Sequence, residues 1–188
     1  MRVQRDLALE LGGIADLDAA LEVSLRAMLE ASGLDCGGAY LVDPASGGLD
    51  LACHEGLPEA FLAAWGHLEA GSRHAALLAE GEVVFSSYGE LFPPGAGGAE
   101  AGAGSLKAFA VVPVLHAGEA IACIVLASRG LDEIPPRTRG LIEILAGQLG
   151  QAVARIRLVS ALRESEERYR LLFENAGEMI FSYGPDLR

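Results

Sequence analysis

Cysteine and histidine are the residues of this 188-residue chain that could do nucleophilic, redox or metal chemistry. The cysteines are Cys36, Cys53 and Cys123. Redox turnover needs an accessible thiolate with a resolving thiol nearby. Cys36 stands at the opening of an expected first strand. Cys123 lies among Ile121, Ile124 and Val125, the setting of a small buried hydrophobe. Three scattered cysteines make neither a disulfide framework nor a zinc knuckle. The histidines His54, His67, His74 and His116 share no ligand spacing such as i, i+4, so no metal is expected. Arg73-His74 could meet an anion at a helix start, against a solvated-loop reading of the segment 68–73. No catalytic residue is assigned.

The aromatic side chains form a more suggestive set. Phe61 and Trp65 stand four apart, on one face of an expected short helix 57–65 with Pro58 in its first turn. Phe85 lies on an expected strand, and Tyr88, Leu91 and Phe92 lead into a Gly- and Ala-rich stretch, 93–105, expected to be mobile. Aromatic residues at helical spacing are core by default. The other reading is an apolar cavity with few polar groups, which suits a small planar or apolar ligand.

These side chains need a scaffold, and the periodicity supplies one. Val3, Leu7 and Leu11 mark a first helix ended by Gly12-Gly13. Asp16 is placed to cap a second helix, whose Leu17, Leu21, Leu25, Met28 and Leu29 share a face before Gly33 stops it. Strands follow at 39–43 and 49–54 across the turn Pro44 to Gly48, then at 82–87. Two strongly apolar strands, 106–114 and 119–128, flank a turn at Leu115 to Gly118. Their continuous apolarity predicts a sheet covered on both faces.

From Arg137 to about Gly177 no proline intervenes, which predicts one long helix. Ile142, Leu149 and Ile156 repeat every seven residues, as do Leu145, Ala152 and Val159. This is the pattern of a coiled-coil seam and predicts a parallel homodimer. The other reading of residues 141–153 is an amphipathic helix covering its own sheet. At the next repeat Arg163 and Glu166 break the seam, and an apolar stripe resumes out of phase at Leu162, Tyr169 and Leu172.

Charge narrows the function classes. The net charge is −12, which excludes nucleic acid and anionic membrane surfaces as charge-held partners. No apolar stretch reaches the roughly 20 residues needed to span a bilayer. Met1 to Asp6 lacks the apolar region of a signal peptide. A cytoplasmic location is expected. The eight arginines and seven acids of residues 137–188 contrast with six basic and 19 acidic residues before them, as befits two regions with different jobs.

The ordered elements resemble a GAF domain, a sensory module of signalling proteins, over roughly residues 5–158. The resemblance is carried by Ala39 to Asp43, by Ala52-Cys53-His54-Glu55-Gly56-Leu57-Pro58, by the pair 106–114 and 118–126, and by Ile144 to Val153. It implies an α/β (α+β) fold with an antiparallel sheet of about five or six strands. Terminal helices would cover one face, and small helices and loops the other. The domain is taken as 1–158, with a linker helix and the start of a second domain at 159–188. Glu164 to Ala176 followed by Met179 to Tyr183 resembles the opening helix and first strand of a PAS domain. One strand and one helix cannot bury a core, so the chain is expected to be a piece of a longer protein. GAF followed by PAS resembles the input half of bacterial sensor histidine kinases of two-component systems, and diguanylate cyclases share it.

The resemblance also implies where a ligand would sit. In a GAF domain Phe61, Trp65, Phe85, Tyr88 and Phe92 would wall a cavity, with His54 or Arg73 as the polar partner. Phytochrome-like members attach bilin to a Cys before a His, but near the pocket helix before the closing hairpin. Here Cys53-His54 comes much earlier, and 88–105 holds no Cys, so no bilin attachment is expected. Cyclic-nucleotide binding in the family goes with an early Asn and Lys. This chain has only Asn175 and Lys107, so that motif is not assembled. A reductase branch of the fold acts on free methionine sulfoxide, but its Trp-rich first-strand motif is absent, Trp65 being the only Trp. The expected function is a non-enzymatic sensor or relay module that binds a small ligand. The alternative is a dimerisation spacer that binds nothing.

Overall fold

The structure, a computed structural model, describes residues 2–72, 81–91 and 106–180, without the side chains of residues 2, 3, 88 and 174–180. Two helices open it, α1 (Arg2–Gly13) and α2 (Leu17–Ser32). The Asp16 carboxylate accepts the amide of Ala19 at 3.2 Å, and Gly33 takes a left-handed conformation that closes α2. Strands β1 (Cys36–Val42) and β2 (Leu49–Glu55) follow, then the short helix α3 (Glu59–Trp65) and the two-residue strand β3 (His67–Leu68). Strand β4 (Val84–Ser87) runs into a single helical turn, α4 (Tyr88–Leu91). The hairpin β5 (Ala108–His116) and β6 (Glu119–Ser128) precedes the long helix α5 (Pro136–Ile180).

The six strands form one antiparallel sheet in the order β3-β2-β1-β6-β5-β4. The expected mixed α+β architecture is what the chain adopts. The β5–β6 turn is tighter than expected. Only Ala117 and Gly118 form it, both with positive φ, which matches the twist of the flanking strands. Leu68, expected in the loop 68–73, instead forms with His67 an edge strand paired to Leu49 and Asp50.

Both sheet faces are covered. One face carries the small residues Ala39, Ala108, Ala110 and Ala122 beside Val112, Ile124 and Leu126, all buried. Against it pack Leu7 and Leu11 of α1, Leu21, Leu25 and Met28 of α2, and the first part of α5. Gly37 lets α2 approach: a Cβ there would lie 2.6 Å from the Val125 carbonyl and 2.9 Å from Leu25 Cδ1. The other face carries Tyr40, Leu49, Phe109, Val111 and Cys123 beneath α3. The corner Gly56-Leu57-Pro58 enters α3 with Gly56 at φ +68°, where a Cβ would stand 2.8 Å from the Asp35 carbonyl.

The pairing of β1 with β2 contains a bulge. Tyr40 pairs with Leu51 but Ala39 pairs with Cys53, leaving Ala52 unpaired. Leu49 and Leu51 therefore face the α3 side, while Cys53 packs on the terminal-helix side. His54, opposite Gly38, returns to the α3 face and is exposed.

The apolar stripe of the long helix follows one of its two sequence readings. Ile142, Leu145, Leu149, Ala152 and Ile156 are buried in the chain's own core with α1, α2 and the sheet. Ile142, Leu145 and Leu149 have no exposed surface, and Ala152 and Ile156 only 7% and 5%, so within one chain this stripe is core, the other reading given for residues 141–153. Val159, the sixth, is partly exposed beyond the core. The helix also continues through Met179 and Ile180, where the PAS resemblance implied a strand. Residues 181–183 lie outside the described residues.

Candidate functional site

The aromatic face is built from α3 downward. Phe61 and Trp65 share the buried face of that helix, with ring centroids 6.4 Å apart and planes tilted by 37°. Their spacing puts both rings over the sheet, on Tyr40, Leu49 and Phe109, with Leu91 of α4 and Leu106 in the same cluster. Partly buried Leu51, Leu57 and Leu68 complete the rim. Among the described residues this layer is almost wholly apolar. Burial raises the Tyr40 hydroxyl well above its ordinary range and pushes the Cys123 thiol up to about 12. Both stay neutral near pH 7, so these buried groups bring no charge to the face.

Not every expected wall residue is there. Phe85 is on the opposite face of the sheet. It pairs with Ala110, packs with the terminal-helix cluster, and lies 5.1 Å from the Arg139 guanidinium. On a strand, successive side chains alternate, and Val84 takes the α3 side instead. Arg73, Phe92 and the stretch 93–105 lie outside the described residues, as do His74 and the Tyr88 side chain. His54 is on the α3 side but exposed. His67 Nδ1 sits 2.7 Å from Asp50 Oδ1 on the exposed sheet edge.

The structure also shows a recess that the sequence reading did not indicate. A groove of about 280 Å³ opens between β4–α4 and the segment entering α5, lined by Phe85, Glu90, Asp132 and Arg139 among others. Arg139 Nε donates to the Ile134 carbonyl at 2.8 Å while its Nη2 meets Glu133. Glu90 accepts the Ser87 amide and the Ser86 hydroxyl, each at 3.1 Å. The Ser87 amide chiefly holds its carboxyl below the usual range. The Ser87 amide bonded to Glu90 is one half of a capping box, and the Ser-x-x-Glu spacing is a sequence signal that could have revealed α4.

The cysteines are kept apart. Cys36 and Cys123 face the α3 side, with Cys36 opposite Ala127 and Cys123 opposite Tyr40. Four residues of strand, roughly 13 Å, separate them. Cys53 is on the other face, where burial, then the charge of Glu22, raises its thiol. Burial likewise raises Cys36. No two of these thiols are neighbours, and none is held as a thiolate.

A family profile of the GAF domain matches residues 14–154, three quarters of the chain. The chain belongs to the GAF domain family. No curated protein matches it. Solved structures do. A GAF domain from a phosphoenolpyruvate-protein phosphotransferase of Coxiella burnetii is 19% identical, with 85% of this chain and 95% of that one covered and a TM-score of 0.68. The free methionine-R-sulfoxide reductase of Neisseria meningitidis, solved with its substrate, is 23% identical over 84% of this chain and 89% of its own, TM-score 0.66. A domain assigned to a two-component sensor histidine kinase of Sinorhizobium meliloti 1021 is 21% identical over 76% and 94%, TM-score 0.58. At these identities the likenesses establish the GAF fold. Among the described residues no helix is long and apolar enough to cross a membrane.

Proposed function

We propose that this chain is the sensory or relay GAF module of a two-component signalling protein, a sensor histidine kinase. It would dimerise through its long helix and pass a signal along that helix to a PAS domain. The 45-residue length of α5 carries the reading. Its first part is core of the domain, so any repacking of the sheet is felt there. Its later part leaves the domain and exposes Leu158, Leu162, Tyr169, Leu172 and Phe173. Such a stripe on a free helix calls for a partner. The resemblance of the residues from Glu164 onward to the start of a PAS domain supports a PAS domain as the recipient.

The ligand in this reading is a small uncharged molecule taken up by the α3 face around Phe61 and Trp65. It drives the relay only through its differential affinity for two arrangements of the helices. The reductase of the same fold is not the preferred reading, because the three thiols are separated and protonated. The input module of a diguanylate cyclase and a ligand-free dimerisation spacer remain the alternatives. Two measurements on the purified chain test the proposal. Sedimentation at about 100 µM shows a dimer if the relay reading holds, and a monomer overturns it. Trp65, the only Trp, reports on the α3 face. Saturable quenching by an uncharged aromatic molecule supports the sensor; a library of such molecules without any quencher favours the spacer.

A further inference from the structure

Between β6 and α5 the chain leaves the sheet for the layer of terminal helices. The segment that does so, residues 129–135, has no regular secondary structure. Its far end is fixed, because Ile134 is buried in the core that Ile142 and Leu145 of α5 share with α1 and α2. Its near end is held by backbone bonds. The Arg129 amide donates to Asp35 at 2.6 Å, and the Gly130 and Leu131 amides donate to the Ser128 hydroxyl oxygen at 3.2 Å. Two side chains of the segment reach further. Arg129 Nη2 donates to the Gly56 carbonyl at 2.6 Å, past the start of β1 to the exit of β2. Asp132 meets Lys107 at 2.9 Å.

Both partners stand on the border of the α3 face. Gly56 comes two residues before Pro58, whose carbonyl accepts the Phe61 and Leu62 amides in the first turn of α3. Leu57, between them, packs on the α3-side cluster. Lys107 follows Leu106, which is buried in that cluster. A shift of α3 around Phe61 and Trp65 therefore reaches the Gly56 carbonyl through two residues of backbone. The contact it meets there is one that can be made and broken. Arg129 and Gly56 bond at the exposed end of the sheet, so water takes the place of each partner when they part and no buried group is orphaned. A close-packed core contact has no comparable second state.

We infer that residues 129–135 couple the α3 face to α5, with Arg129 as the positioning residue that follows the Gly56 corner. With the Arg129–Gly56 bond closed, the place of the corner sets the place of the segment. The segment in turn sets the first turn of α5, where Arg139 Nε donates back to the Ile134 carbonyl at 2.8 Å. With the bond open, the segment keeps its backbone bonds to Asp35 and Ser128 but no longer follows α3. The coupling element thus has two discrete arrangements, and whatever displaces α3 biases them. This route rests on the reading of the α3 face as the sensing face and α5 as the output helix, and names what joins them.

Amide hydrogen exchange on the full chain tests it, with α2 as the internal reference for overall stability. Leu57→Ala loosens the corner from the α3 side. With Arg129 intact it should speed exchange over residues 130–142 by at least about three-fold relative to α2. Arg129→Ala should speed exchange over 130–142 and, reciprocally, over 57–62. In the double variant Leu57→Ala should add less than about 1.5-fold at 130–142, because the link is already cut. An equal response to Leu57→Ala in both backgrounds overturns the coupling, since the effect then travels through the sheet. No response at 130–142 with Arg129 intact overturns it too, as does an Arg129→Ala effect confined to 130–142, the mark of a local role. Arg129→Lys keeps a donor for the single carbonyl and should restore the Leu57→Ala response; failure to restore it rules out the hydrogen bond as the carrier. Should Arg129→Ala not fold, Arg129→Met, of similar bulk and without a donor, takes its place under the same criteria. Exchange is read within one chain and does not need pairing. Coupling in a chain that sediments as a monomer upholds the route and defeats the dimeric relay, and a dimer without coupling does the opposite.

Discussion

Leu149 and Leu162 lie on the same helix, and truncating each to alanine separates the two jobs of that helix. Leu149 has no exposed surface and belongs to the core cluster that α5 shares with α1, α2 and the sheet. Leu149→Ala removes about three carbons' worth of burial at roughly 0.8 kcal/mol each and leaves a cavity, for a total of about 3 kcal/mol. In a domain of this size each kcal/mol lowers the melting temperature by about 2–4 °C, so a fall of roughly 6–12 °C is expected. The loss should not depend on protein concentration, because the lost contacts lie within one chain. Leu162 is 60% exposed. Leu and Ala have similar helix propensities, so Leu162→Ala should change domain stability by less than about 0.5 kcal/mol. Self-association should suffer instead. A loss of about 1 kcal/mol per copy weakens the dimer roughly 30-fold. Thermal melts at two concentrations and sedimentation equilibrium read both quantities. If Leu149→Ala spares the melting temperature and weakens the dimer, the buried stripe belongs to the interface and the packing argument fails.

Gly37→Ala would force a methyl to within 2.6 Å of the Val125 carbonyl, so a loss of about 1–3 kcal/mol is expected in urea unfolding, and a neutral result would show that α2 can retreat. The Asp35 carboxyl sits below its ordinary range because the Ser128 hydroxyl, then the Arg129 amide, donate to it at 2.7 and 2.6 Å. A lowered folded value means that its stabilisation is present above the unfolded value near 3.9 and fades as pH falls through the folded one; Asp35→Asn should flatten that part of an acid unfolding curve. Unfolding curves of equal steepness in the two proteins would contradict this account. At pH 7.5 Cys36 and Cys123 should resist a thiol reagent until the protein is unfolded, as burial keeps both protonated; rapid labelling of either would reopen the reductase reading.

Much of the architecture was legible because long periodic segments state their own class. The Asp16 cap, the Gly33 stop, the two apolar strands of the closing hairpin and the uninterrupted α5 all stand where the sequence placed them. The buried stripe of α5 was legible as a stripe but not as to its partner. A period of 3.5 drifts from 3.6 by only about 20° per heptad. Over the two heptads from Ile142 to Ile156, core packing and coiled-coil pairing therefore ask for the same residues. What distinguishes them is the surface opposite, and the small residues Ala110 and Ala122 of the sheet, distant in sequence, supply it. Phe85 was misplaced for a related reason. Val83, Val84 and Phe85 are all apolar, so alternation gave no parity, and register with β5 alone decides the face. The Phe61–Trp65 pair was legible because i, i+4 spacing on a short helix leaves a single face for both. Strand β3, at two residues, is too short to show any period.

Ala52 gives the chain an uncommon tolerance to a change of length. Losing one residue from a half-buried strand ordinarily turns every later side chain to the opposite face. Here the two residues flanking Ala52 already oppose consecutive positions of β1, Leu51 on Tyr40 and Cys53 on Ala39. Excising Ala52 would close the ladder without turning anything: Cys53 would stay under α2 and His54 would stay on the α3 side. Excising Leu51 or Cys53 instead would remove a packed side chain and leave Ala52 to take its place in the ladder. Aligned against other chains of this fold, a one-residue gap at position 52 should therefore be silent, whereas gaps at other positions between Leu49 and Glu55 should not.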